Sequence, residues 1–226
     1  MPGEAMISAS WTRAQLRFTL MRPMTRLTAD QRRTAIVDAA ITVARRKGLA
    51  STTVRDVAQV MDSSSGLVHH YFETMDDVLA AAFERVAGDD LRSTAEAVAA
   101  APDPISAMQA ILRSYEPVDA DWAFQLWLDA WAEAARRPAL RVTSRRLNLA
   151  WQALLERTIR AGVAVGQFRC SEPAAAAWRI ISVLDGLGLQ IVAHGTIIER
   201  SDVLAWAASS AEHELGLRPG ALVATA

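Results

Sequence analysis

The chain has 226 residues, of which 51% are hydrophobic and 22% charged, and this balance excludes a wholly disordered protein. Its single cysteine excludes an intrachain disulfide and a zinc site built from cysteines. The net charge of −1 is unevenly distributed: residues 1–72 hold 10 Arg and Lys against 5 Asp and Glu, and residues 73–226 hold 14 against 20. A basic N-terminal part followed by an acidic remainder indicates that only the N-terminal part binds an anionic partner.

The first 27 residues predict a flexible N-terminal arm. Arginines interrupt its apolar residues, so it lacks the continuous apolar stretch of a secretory signal. The longest apolar stretch of the chain, residues 180–193, is shorter than a membrane span and contains Asp185 and two glycines. We therefore expect a cytoplasmic protein that does not enter a membrane.

The remainder of the chain predicts an all-α fold of about nine helices. The first helix begins at a capping box formed by Thr28 and Gln31, and it ends before Gly48. A second cap is expected at Ser51 or Thr52. Short breaks containing proline or glycine separate the later helices. The expected helices span residues 28–47, 53–60, 64–70, 75–100, 104–114, 119–137, 139–164, 173–193 and 202–215.

Residues 52–72 have the pattern of two short helices that share a small core. Apolar residues recur at helical spacing in both, Val68 and Phe72 among them, and Asp62 and Ser63 form a tight connection. Such a pair matches the helix-turn-helix plan, whose second helix enters the major groove of DNA. Small and polar side chains here can reach phosphates and base edges. The expected DNA contacts are Thr53, Arg55, Ser64, Ser65, Gly66, Leu67, His69, His70 and Tyr71.

Residues 33–40, 53–58 and 64–72, together with Gly48 and Leu79, resemble the DNA-binding domain of the TetR (tetracycline repressor) family in order and spacing. The resemblance implies a three-helix domain of a transcriptional regulator that binds double-stranded operator DNA. Three positions depart from the family pattern. Asp62 stands where the turn normally carries glycine, His69 where tyrosine is common, and Met75 where a phosphate-binding lysine is common.

Other chemistry is not expected in this segment. His69 and His70 are adjacent, so they point about 100° apart on a helix and cannot jointly hold a metal. Ser64 lacks the surrounding motif of a catalytic nucleophile. We therefore expect no metal, no cofactor and no catalytic residue.

The sixth expected helix is apolar on two sides. Trp127 and Trp131 fall on one face, and Trp122 falls opposite, beside Asp129 and Glu133. A helix of this kind either packs against other parts of the protein on both sides or lines a pocket with one of them. Each tryptophan alone fits a core position, but the group favours a pocket for a small-molecule effector that is apolar, flat or cationic, with the two acids as candidate counter-charges. The expected ligand contacts are Trp122, Trp127, Trp131 and Trp151.

The eighth expected helix is apolar all round between residues 180 and 193. One face serves the core of the chain, and the other requires a partner, for which a twin subunit is the economical choice. Small residues on the last helix extend this surface. The expected homodimer contacts are Ile180, Leu184, Leu187, Ile191, Leu204 and Ala208.

The C-terminal part also resembles the BetI-type (betaine regulator) branch of the family. The similarity rests on a Trp-rich helix ending in Arg-x-Pro, a long helix ending in Gly-x-x-x-Gly-x-Phe, and an Asp-Gly-Leu helix. These motifs stand at residues 136–138, 162–168 and 185–187. Because effector pockets vary within such families, the resemblance does not identify the ligand.

We therefore expect a ligand-responsive regulator, in the first place a repressor, that binds a palindromic operator as a dimer and is released by a small molecule. Its expected parts are the arm (1–27), the DNA-binding domain (28–74), an effector-binding and dimerisation domain (75–216) and a loose tail (217–226). Three alternatives stay open: an activator, a ligand-sequestering protein with a vestigial helix-turn-helix, and a hydrolase using His194 or His213.

Overall fold

The computed structural model describes residues 27–115, 121–194 and 198–223. Most of the expected arm lies outside them. Within the described part the chain forms nine helices and no strand, as the sequence predicts. The helices are α1 (Ala29–Lys47), α2 (Val54–Val60), α3 (Ser65–Tyr71), α4 (Met75–Ala100), α5 (Pro104–Arg113), α6 (Asp121–Ala134), α7 (Pro138–Ala164), α8 (Pro173–His194) and α9 (Arg200–Glu214).

The ends of the helices follow from side-chain caps. Thr28 and Gln31 form the expected capping box of α1. The cap of α2 is Thr53, not Ser51 or Thr52, because Asp56 at the third helical position completes a second box with Thr53. The helix α6 stops at Ala134, earlier than expected, because Pro138 starts α7 at the position where proline is favoured.

The small N-terminal domain encloses its own core. Ile36 of α1, Val57 of α2, and Val68 and Phe72 of the α3 region are all buried. The first turns of α4 complete this cluster with Val78 and its neighbours. The boundary expected after residue 74 therefore crosses a continuous core, and the long helix α4 belongs to both domains.

The larger domain is a bundle built around α4 and α7. Its main core includes Ile111, Leu155 and Ile180, each at most 1% exposed. A second cluster joins the two domains, since Leu49 after α1 packs with Phe83, Leu126 and other residues of α4, α6 and α7. The two domains thus share a packed contact.

The segment after α9 is docked, not loose as expected. Leu222 is 4% exposed and packs into the main core. The buried carboxylate of Glu212 accepts hydrogen bonds from the backbone N–H groups of Gly220 (2.9 Å) and Leu222 (2.8 Å). A buried acid whose oxygens are both satisfied in this way fixes the chain up to Leu222.

The helix α8 is longer than the apolar stretch suggests. It has 22 residues, and by length and composition alone it meets the criterion for a membrane span. In this fold it packs between α7 and α9. Packing in the bundle accounts for part of its apolar character, since 28% of the apolar 18-residue window is buried.

Candidate functional site

The helix-turn-helix is formed by α2 and α3. The connection turns at Asp62, whose φ of 47° is in the left-handed region, and the N–H of Ser63 donates to the carbonyl of Ala58 at 2.9 Å. Asp is among the few residues besides glycine that adopt this conformation readily. The departure from the family glycine therefore leaves the turn intact.

The expected DNA contacts divide into exposed and packed side chains. The hydroxyl of Ser64 makes no capping hydrogen bond, while that of Thr53 is engaged by Asp56 in the cap of α2. Leu67 and Tyr71 are half-buried. Exposed side chains or backbone are found at Arg55, Ser64, Ser65, Gly66, His69 and His70. The helix α3 thus presents one polar face to solvent.

Arg33, which the sequence reasoning did not single out as a contact, fixes α3 against α1. Its Nη1 donates to the carbonyl oxygen of Tyr71 at 2.6 Å, and its guanidinium lies 4.2 Å from the centre of the Phe72 ring. At the start of α2, the carboxylate of Asp56 accepts hydrogen bonds from Lys47, the last residue of α1, and from Thr53, and these bonds lower the pKa of Asp56 to about 2. These contacts hold α2 and α3 at set angles to α1.

A cavity of about 90 Å³ lies inside the larger domain between α4, α6, α7 and α8. Trp127, Trp131 and Trp151, three of the four residues expected to contact a ligand, line it. Trp122 does not, because its ring faces the N-terminal domain and lies 4.1 Å from the guanidinium of Arg45. Phe124 and Tyr115 add two aromatic walls that the sequence analysis did not find.

The aromatic rings form a connected set. The Trp127 and Trp131 centroids are 5.5 Å apart, and Phe124 meets Trp131 edge-on at 6.4 Å. Behind them Phe83 packs edge-on against Trp127 at 4.8 Å. Rings held by one another in this way give the cavity a defined wall.

Two carboxyl groups reach the same cavity. Asp185 on α8 accepts a hydrogen bond of 3.2 Å from the hydroxyl of Tyr115, and Asp90 lies on α4. Burial raises the pKa of each carboxyl to about 6, and the bond from Tyr115 partly offsets this for Asp185. Burial, and then the charge of Asp185, raises the pKa of Tyr115 well above its ordinary value. Asp90 is the more exposed of the two acids. Asp185 is therefore the stronger candidate to contact a bound cation.

The lining contains no Lys, Arg or His among the residues that the structure describes. An ionised carboxylate in this wall has no side chain of opposite charge in the lining, and Asp185 has only the neutral hydroxyl of Tyr115 as a partner, so the site is suited to a positive charge. The same described residues include no group of three His, Cys, Asp or Glu side chains that could hold a metal ion.

Asp129 and Glu133 are not the counter-charges that the sequence suggested. Asp129 accepts from the backbone N–H of Leu49 at 2.8 Å. Glu133 accepts from Arg136 and Arg137, and these bonds lower its pKa. Both acids lie on the side of α6 away from the cavity, two residues from the lining tryptophans in each case.

The expected dimer contacts are mostly turned inward. Ile180, Leu184 and Ala208 are at most 4% exposed and belong to the core of the chain itself. Ile191 lines the cavity, Leu187 packs against the core, and Leu204 is half-buried. The face left open on α8 and α9 carries Trp178, Ser182, Gly186, Leu189 and Trp206. Because α8 is apolar on all sides, its sequence did not reveal which face packs into the core of the subunit and which face stays exposed.

Two family models match the chain. The one described as bacterial regulatory proteins, tetR family, matches residues 36–82, and the one described as BetI-type transcriptional repressor, C-terminal, matches residues 104–216. The HTH-type transcriptional regulator BetI of Paraburkholderia phytofirmans is 34% identical over 126 residues, covering 52% of this chain and 64% of the relative. BetI of Burkholderia thailandensis is also 34% identical over 126 residues, at 51% and 63%. The chain thus matches less than two thirds of the length of these relatives.

Solved structures share the fold. A protein of Saccharomonospora viridis, described as a transcriptional regulator in complex with choline, has a TM-score of 0.75 at 21% identity and covers 82% of this chain and 98% of its own. A TetR-family regulator of Cytophaga hutchinsonii has a TM-score of 0.73 at 22% identity, with 85% and 98% covered. At these identities the likeness shows the fold alone.

The sequence-based resemblance to both families is confirmed, and the relatives are transcriptional regulators rather than enzymes, as expected. The BetI-type model alone spans half of the chain. The chain belongs to the TetR family of bacterial regulatory proteins, with a C-terminal domain of the BetI type.

Proposed function

We propose that the protein is a cytoplasmic, dimeric repressor that leaves its operator when a small organic cation enters the cavity of the larger domain. The observation that carries this proposal is an aromatic cavity that holds two carboxyl groups, Asp185 and Asp90, and no cationic side chain among its described lining residues, in a chain whose other domain is a helix-turn-helix.

The DNA side of the proposal rests on the exposed face of α3. Ser64, His69 and His70 point to solvent, and such groups can donate to phosphates and base edges. Arg55 at the start of α2 is exposed as well. In a dimer, two copies of α3 set about 34–36 Å apart would read a palindrome in successive major grooves.

The ligand side rests on size and chemistry. One water molecule occupies about 10–15 Å³ when cavity volume is measured in this way. A cavity of about 90 Å³ therefore accommodates a small ligand of only a few heavy atoms. A cation over one indole face gains about 0.5–2 kcal/mol, and the carboxylates add charge attraction. The choline bound by the Saccharomonospora viridis protein has this chemistry, and we propose choline or a cation like it for this cavity.

Release follows if the ligand prefers one arrangement of the domains. A ligand shifts an equilibrium only by its unequal affinity for the two states. The state with an occupied cavity would hold the two copies of α3 at a spacing that no longer fits the operator.

The test combines operator selection with ligand titration. Duplexes that the full chain retains are selected from a random pool, and binding of the selected duplex is measured by fluorescence anisotropy while choline is added. We expect choline to release the duplex. The variant Arg55→Ala, Ser64→Ala, His70→Ala should lose selective binding and show a smaller salt dependence, by about one unit of slope per lost phosphate contact. Arg145→Ala, an exposed arginine of α7, is the matched control.

The outcomes separate the alternatives. Unchanged selective binding by the triple variant would reject the helix-turn-helix as the DNA site. Ligand binding without any selected duplex would favour a sequestering protein. A reporter gene placed under the operator distinguishes the repressor, whose removal raises expression, from an activator.

A further inference from the structure

The helix α6 contacts the cavity on one side and the DNA-binding domain on the other. Trp127 and Trp131 line the cavity. Asp129, between them in sequence, is rotated about 200° from Trp127 because successive helical residues turn by 100°. Its carboxylate meets the backbone of Leu49, eighty positions earlier in the chain. A single hydrogen bond therefore connects the helix that lines the cavity to the backbone of the DNA-binding domain.

The receiving segment is the connection between α1 and α2. Leu49 is fully buried, and its N–H donates to Oδ2 of Asp129 at 2.8 Å. Thr52 then bonds back to the carbonyls of Gly48 and Leu49, and Thr53 caps α2. Hydrogen bonds thus connect the segment from the N–H of Leu49 to Thr53, the residue that caps the first helix of the helix-turn-helix.

Gly48 permits the approach of the carboxylate. Its φ of 82° is in the region that favours glycine. A Cβ at this position would also lie 3.1 Å from Oδ2 of Asp129. The other oxygen, Oδ1, accepts from Nε2 of Gln125 at 2.9 Å, which sets the rotation of the carboxylate. One oxygen thus makes the contact between domains, and the other is held within α6.

We propose that the hydrogen bond between Asp129 and Leu49 couples the cavity to the DNA-binding domain, and that Asp129 is a positioning residue for release. This inference rests on the proposed ligand-dependent function. Other contacts on this side of α6 include the cation–π pair of Trp122 with Arg45 and packing of Leu126 and Ala130. Glu133 also accepts from Arg137, which donates to Asp76 in the first turn of α4. The bond to Leu49 is the hydrogen bond that reaches the connection between α1 and α2, and hydrogen bonds to an ionised acceptor are stronger than neutral ones.

The experiment measures coupling and not affinity alone. The dissociation constant of choline is determined by tryptophan fluorescence for the full chain with and without the selected operator duplex, and the ratio is the coupling factor. For the wild type we expect about 5- to 150-fold, the usual range. Asp129→Ala should bring the ratio to within about twofold of one, while choline affinity without DNA and circular dichroism stay native. Asp129→Asn keeps an acceptor oxygen and should restore most of the ratio.

A second readout does not depend on the ligand. In a background in which the four tryptophans outside the cavity are replaced (W11F, W122F, W178F and W206F), operator binding should change the emission of the three cavity tryptophans, and Asp129→Ala should abolish this change. Glu96→Ala, which removes an exposed acid of α4, is the control and should leave both readouts unchanged. Wild-type coupling in Asp129→Ala overturns the proposal. Failure of choline to bind the wild type rejects only the proposed ligand, because the operator-induced emission change still tests Asp129.

Discussion

The ring of Phe124 packs directly on the backbone of Gly188, where α6 crosses α8. A Cβ at residue 188 would lie 2.7 Å from the tip of the ring. Both residues line the cavity. The absence of a side chain at position 188 therefore sets the position of Phe124 and, through its edge contact, that of Trp131.

Replacing Gly188 by alanine should weaken cation binding. The added methyl group displaces the Phe124 ring, and overpacking of this kind costs about 1–3 kcal/mol. We expect the dissociation constant of choline to rise about tenfold, which corresponds to about 1.4 kcal/mol, as measured by tryptophan fluorescence. Gly186→Ala is the matched control on the same helix, since a Cβ there meets no atom within 4 Å. Equal affinities of the two variants would contradict this account of the wall.

Cation binding should weaken in acid. The pKa of Asp185 and that of Asp90 are raised to about 6, and a cation favours the ionised carboxylate. Affinity is therefore full above this pKa and falls as the pH drops through about 6, by up to about tenfold per pH unit for each carboxylate involved. The measurement is a choline titration from about pH 8 to about pH 5, a range in which the quaternary ammonium stays charged.

The variant Asp185→Asn provides the control for this pH dependence. It should bind choline more weakly at neutral pH, and its affinity should vary less with pH than that of the wild type. A wild-type dissociation constant that is constant over the whole range would show that neither carboxyl contacts the cation.

The exposed face of α8 and α9 should form the dimer. Trp178 is 39% exposed and Trp206 is 50% exposed, and large exposed aromatic residues are typical of interfaces. Because both side chains are open to solvent in the single chain, Trp178→Arg with Trp206→Arg should leave the subunit folded and reduce the mass in light scattering to that of a monomer. Val142→Arg replaces a residue of α7 that is 67% exposed, and it should leave the mass unchanged. A dimeric double variant would place the interface on another surface.

Removing residues 217–226 should destabilise the larger domain. The deletion takes away the buried Leu222 and leaves the carboxylate of Glu212 without its two N–H donors. Loss of one buried leucine costs about 1.5–3 kcal/mol, and the unsatisfied acid adds about 1–3 kcal/mol. Thermal unfolding should therefore occur at a clearly lower temperature, while deletion of residues 224–226 alone keeps every one of these contacts and should have little effect.

Local sequence patterns predicted the helices well. Capping residues, prolines and apolar periodicity act within a few positions, and they gave nine helices with small errors at the ends. Trp127 and Trp131 line the cavity for the same reason, since their spacing places them on one face of α6. Trp151, the third expected tryptophan in the lining, is on α7.

Contacts between distant segments were not predictable from these patterns. Asp185 interrupts an apolar helix and was visible in the sequence, yet only the fold brings Tyr115 to it. Asp129 looked like a spare charge because its acceptor role depends on a backbone N–H eighty positions away. The face of α8 that stays open was hidden because apolar residues occur on every side of that helix.

The separation of cavity and inter-domain contacts on opposite sides of α6 has a consequence for divergence after gene duplication. Substitutions at the aromatic wall, such as Phe124 or Trp131, change which molecule is recognised without touching the bond of Asp129 to Leu49. Substitutions on α3 change which DNA sequence is recognised without touching the cavity. Under the proposed function, a new signal and a new target gene can therefore be acquired one at a time, because the residues that would recognise each do not overlap.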